Sequence, residues 1–136
     1  MNKDPRFKNH DALPEQVNAH YHGARERLNT AIQISDSDQE AAYEMAYEAV
    51  LKASIAILFK NGLRPRSLPG HHIAILEKAN ELLGDAFNNH FNVFDEMRRS
   101  RNDFIYDADG FVSSHEVKEA IKLVDGYLKK VGNYLK

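Results

Sequence analysis

The 136-residue sequence contains no cysteine. That excludes disulfides, thiolate zinc sites and a cysteine nucleophile, and it fits a reducing cytoplasm. The chain also lacks a strong charge of either sign. Its net charge is −2, so any attraction to nucleic acid must come from local clustering of arginine and lysine. No apolar run approaches the roughly 20 residues needed to span a bilayer. The longest is Ala53–Phe59, and the N-terminal MNKDPRFKNHD has no apolar core like that of a signal peptide. There is no alternating run of the kind a half-buried strand requires, no sequence repeat and no low-complexity tract. A Gly-rich phosphate loop, a nucleophile elbow and a kinase-like set are missing as well.

What the chain does have is helical periodicity. Residues 1–12 read as a loose polar lead-in, and residues 13–136 as a single domain. A helix starts at Leu13-Pro14-Glu15 and carries the stripe Val17, Tyr21, Ala24, Leu28 and Ala31/Ile32. Ser37 and Glu40 have capping-box spacing, which places the start of a second helix there. That helix is apolar on more than one face after Ala53, so it should be the most buried, and Asn61-Gly62 ends it. Leu63–Gly70 reads as a loop. A third helix is expected over His71–Leu83 and a fourth from about Phe91 to Ile105. Ser113 and Glu116 form another capping box. The fifth helix follows it with Val117, Ile121, Val124, Leu128, Val131 and Leu135. The expected fold is all-α: an up-and-down antiparallel four-helix bundle with an additional shorter helix.

The fourth helix ends in Met97–Asp107, MRRSRNDFIYD. Arg98, Arg99 and Arg101 fall within four residues, followed by Asn102 and Tyr106. On a helix Asn102 and Tyr106 stack one turn apart and Arg101 lies beside Asn102. Arg101 also lies near the apolar stripe, where a guanidinium needs an anion, a partner chain or a route to water. By spacing alone, an ion pair with Asp95 or Glu96, or a cation at a helix C-terminus, is favoured over a site, because such pairs are common on helices.

Tyr47–Ser54, Leu58–Gly62, Gly70-His71-His72 and Arg99–Asp107, in this order, resemble the HEPN domain superfamily from about Tyr21 to Leu135. The resemblance implies a helical bundle, typically dimeric. It also implies metal-independent endoribonuclease activity of toxin or defence type, or the role of partner to a small nucleotidyltransferase. The superfamily signature is an arginine, usually followed by Asn, Asp or His, with a histidine four to six residues beyond the arginine. Arg101 and Asn102 match, and Tyr106 stands where the histidine would be. The implied catalytic set is Arg101, Asn102 and Tyr106, acting across a homodimer interface on RNA, with no cofactor. The implied products are a 2′,3′-cyclic phosphate and a 5′-hydroxyl. Arginine neutralises charge growing on phosphate oxygens. Histidine exchanges a proton near neutrality, whereas tyrosine titrates near 10 and serves better as a hydrogen-bond donor or acid. The alternatives are a non-catalytic module binding RNA or nucleotide, a module paired with a nucleotidyltransferase or antitoxin, or a plain helical interaction protein.

Arg98, Arg99, Arg64, Arg66 and His71, with Lys60, are candidate binding residues if the two basic patches meet in a groove. As an alternative, they are ordinary solvated loop and helix residues. Asp107–Glu116 resembles a calcium loop, but its first ligand position falls on Ile105, and a polar turn plus the capping box explains the same residues. His71-His72 and His20-x-His22 do not have the spacing of a chelating pair, so no metal is expected.

Overall fold

The computed structural model describes residues 3–84, 88–106 and 112–136, with the side chains of 88–90 and 104–106 outside the described set. Among the described residues the order is β1 (Phe7–Asn9), α1 (Pro14–Ile34), α2 (Gln39–Lys60), β2 (Leu63–Pro65), α3 (His71–Leu83), α4 (Asn88–Tyr106) and α5 (Ser114–Tyr134). The architecture is all-α, with five helices and one small two-stranded sheet.

Helix α2 is the hub, and all four other helices pack against it. Ala42, Ala46, Ala49, Ala53 and Ala56 are fully buried along it, and such small side chains let neighbouring helices approach closely on several sides. Tyr47, Val50, Ile57 and Leu58 fill the space between. The short link after Ile34 folds α1 back along α2 as a helical hairpin. Helix α5 presents Val117, Val124, Leu128 and Val131 to the same core. A buried polar tie joins it to α2, where the Tyr127 hydroxyl lies 2.8 Å from Ser54 Oγ. Phe94 of α4 meets the Tyr127 ring edge-on at 4.8 Å. Gly132 serves the α1–α5 contact: a Cβ there would sit 2.6 Å from the Tyr21 hydroxyl, which donates to the Leu128 carbonyl.

Helix starts follow local chemistry. Ser113 accepts from the Glu116 N–H at 3.1 Å, and Glu116 accepts in return from the Ser113 N–H, as the spacing predicts. At α2 the cap lies one residue later than expected. Ser37 turns its hydroxyl back to the Ile34 carbonyl, and Asp38 accepts from the Ala41 N–H at 3.0 Å. Asp38 is therefore the N-cap, and the expected Ser37/Glu40 box is replaced.

Two segments differ from the expectation of loose or looped chain. Phe7 is 1% exposed, and β1 pairs antiparallel with β2 in the register Phe7↔Pro65, Lys8↔Arg64, Asn9↔Leu63. Phe7 seals a second apolar cluster with Leu58, Ala74 and Ile75. Gly62, at φ +73°, makes the sharp exit from α2 that swings β2 alongside β1. No helix among the described residues is long and apolar enough to cross a membrane.

Candidate nucleic-acid interface

The α4 arginines divide by face. Asp95, one turn earlier, holds two of them: Arg98 Nε at 3.0 Å and Arg99 Nη2 at 2.9 Å. Arg101 takes neither Asp95 nor Glu96. It reaches across to α2, where its Nε lies 3.5 Å from Glu44 Oε1 and its guanidinium carbon 6.0 Å from the centroid of the Tyr47 ring. The intrahelical pair that spacing favoured therefore belongs to Arg98 and Arg99. Ring and cation sit at the outer limit of a useful cation–π contact. At 3.5 Å, with both side chains partly in water, the Glu44 pair is weak. A phosphate could displace it at little cost.

Tyr47 is fully buried, and its hydroxyl meets His72 Nδ1 at 3.3 Å. Burial pushes the Tyr47 phenol up to about 12, against the opposing pull of Arg98 and Arg101. Burial also lowers His72, and His71, Arg101 and Arg98 lower it further by repelling its charged form. At neutral pH the pair is a protonated phenol against a neutral imidazole. Through Arg101, the two residues link α4 to the first turn of α3, and the charge of Arg98 and Arg101 reaches His72.

Beyond His72 lies a cavity of about 280 Å³ between α1, α2, β2 and α3. Its walls include His20, Phe59, Arg64, His71 and His72. The structure thus brings Arg64 and His71 together and joins them to the α4 cluster through His72 and Tyr47. His71 is half-buried and points Nδ1 at the Leu68 carbonyl, 3.1 Å away. Arg66, Arg99 and Asn102 are exposed, and Arg66 is not on the cavity wall. Tyr106 ends α4, and its side chain lies outside the described residues, as does most of the calcium-like loop. Among the described residues no group of three or more ligands could hold a metal ion.

Glu44, Tyr47 and Phe59 were not singled out by sequence spacing, and His20 was considered only as half of a metal-chelating pair, because they come from α1 and α2, far along the chain from the motif. The one signal for Tyr47 is that it opens the first of the stretches resembling the superfamily.

The HEPN domain model matches residues 17–134, nearly the whole helical part of the chain. The chain belongs to the HEPN family. No curated protein matches it. In this HEPN domain Arg101 and Asn102 lie in the last turns of α4, and β1 lies outside the matched span.

Proposed function

We propose that this HEPN domain is a metal-independent endoribonuclease of toxin or defence type, acting as a homodimer that joins two α4 ends in one cleft. The observation that carries the reading is Arg101. It is 28% exposed, sits beside a buried tyrosine and a neutral histidine, and is opposed only weakly by Glu44. In the proposed reaction the RNA 2′-hydroxyl attacks the adjacent phosphorus. The bond to the 5′-oxygen breaks, leaving a 2′,3′-cyclic phosphate and a 5′-hydroxyl. Arg101 exchanges Glu44 for a phosphate oxygen and stabilises the charge that grows there. Asn102, exposed on the adjoining face, donates to the phosphate and orients it. The proton of the 2′-hydroxyl passes to water, and Tyr106 gives the proton that the leaving oxygen takes up and regains one from water. Arg98 and Arg99 draw in the strand by charge.

The test is cleavage of mixed single-stranded RNA with EDTA present. Wild type should yield cyclic-phosphate ends, and Arg101→Ala should lose about 100-fold or more of the rate. Cleavage that survives Arg101→Ala, or that vanishes with EDTA, would overturn the assignment. A second reading rests on the Arg101–Glu44 pair itself, which gives Arg101 a partner within its own chain. It is a module that binds RNA or nucleotide without turnover, or that docks a nucleotidyltransferase or antitoxin. Silence from wild type, with cleavage restored by Tyr106→His, would favour it.

A further inference from the structure

We propose that the cavity walled by His20, Phe59, Arg64, Ser67, His71 and His72 is a nucleobase pocket that receives one base of the RNA strand held by the α4 arginines. The proposal rests on the RNA reading above and gives it a specificity determinant. At about 280 Å³ the cavity lies at the small end of ligand pockets, which suits one planar ring system better than a large ligand. Its apolar surface comes from Leu51, Ile55 and Ile75. Phe59 adds an aromatic ring, braced by His10 at 4.8 Å and by the edge of His20 at 4.7 Å. A braced ring is a stacking platform with little freedom to lose on binding.

The polar groups are also defined. His71 Nδ1 faces the Leu68 carbonyl and His20 Nδ1 faces the Gln16 carbonyl, each at 3.1 Å. A carbonyl only accepts, so both Nδ1 atoms carry the proton. An imidazole that carries a single proton, on Nδ1, offers Nε2 as an acceptor. Two such acceptors suit the N–H groups on the edge of a base. Arg64 supplies donors for a base carbonyl or a phosphate, and Ser67 can do either. His72 closes the wall toward Tyr47, over whose ring Arg101 lies. A ligand combining a flat ring with negative charge fits this sequence of platform, acceptors and cations, and a nucleotide unit has both parts.

The methyl resonances of Ile55 and Ile75 report on the cavity by NMR. The probes are the four ribonucleoside 5′-monophosphates, inorganic phosphate, and a 2′-O-methyl oligonucleotide that cannot be cleaved. Nucleotides and oligonucleotide should shift both methyls, and phosphate alone should not. Phe59→Ala should weaken nucleotide binding about fivefold or more. Ser67→Trp, at an exposed position on the rim, should block the cavity without touching the core. Arg101→Ala should weaken only the oligonucleotide. Unmoved methyls, or the same shifts from phosphate, would overturn the pocket even if wild type cleaves RNA. Shifts from mononucleotides but not from the oligonucleotide would assign the cavity to free nucleotides and overturn the RNA-base assignment. If the methyls shift with both probes and wild type does not cleave, the endoribonuclease reading falls while the pocket stands.

Discussion

Tyr47 and His72 make their hydrogen bond between neutral partners, and this fixes how the fold answers to pH. His72 titrates below the ordinary histidine value of 6.5, so protons bind the unfolded chain more readily. Its contribution to stability is complete above that value and declines as pH falls through it. The tyrosines act with the opposite sign. Tyr47 and Tyr127 are held up to about 12 by burial, against 10.0 ordinarily, so their contribution is complete below pH 10 and declines above it. Urea unfolding across a pH series should show a plateau between these limits. His72→Gln should flatten the acid side near pH 6, and Tyr127→Phe should flatten part of the alkaline side. A further loss belongs to a lower window: Asp125, hydrogen-bonded by Lys129 and Arg25, is lowered from 3.8 and gives up its stabilisation only below that value. At this scale the sequence shows Arg101 and Asn102 through their spacing on one helix. It does not show Glu44, Tyr47 or His72 beside them, because the three come from two other helices, α2 and α3, and no spacing rule links them.

At the scale of elements, the five helices were legible because each carries an apolar stripe several turns long, which the 3.6-residue period makes visible. The cap of α2 was legible to within one residue. Ser37 and Asp38 both have side chains able to cap, and the choice depends on how α1 ends, since the Ile34 carbonyl captures the Ser37 hydroxyl. Asp38→Ala should therefore cost about 1 kcal/mol in urea unfolding. Ser37→Ala should stay within about 0.5 kcal/mol, as exposed substitutions do. Equal losses at both positions would return the cap to Ser37. The strands escaped detection for a different reason. Three residues cannot display an alternation, and β2 ends on a proline, which an edge strand tolerates but a sequence pattern reads as loop.

At the scale of the molecule, the N-terminal strand is part of the fold. Phe7 joins Leu58 of α2 to Ala74 and Ile75 of α3, and Ile75 also lines the cavity. Phe7→Ala should cost about 3–5 kcal/mol, the range for emptying a buried aromatic site. Lys8→Ala, exposed on the same strand, should be nearly silent in the same unfolding experiment. The family match begins at residue 17, so this strand is a feature of this chain that the shared helical pattern does not describe. Composition concealed it too, because one phenylalanine among charged and polar neighbours looks like solvated chain.

The pairing of Asn9 with Leu63 spans the α1–α2 hairpin, and this sets an order of events at the ribosome. Strand β1 is synthesised first, but its partner emerges only after both helices have been made. The hairpin, built from contacts close in sequence, can collapse before the long loop between the strands is closed. Strand β1 thus settles only after the two helices that follow it have been made, and for that interval the nascent chain carries Phe7 uncovered.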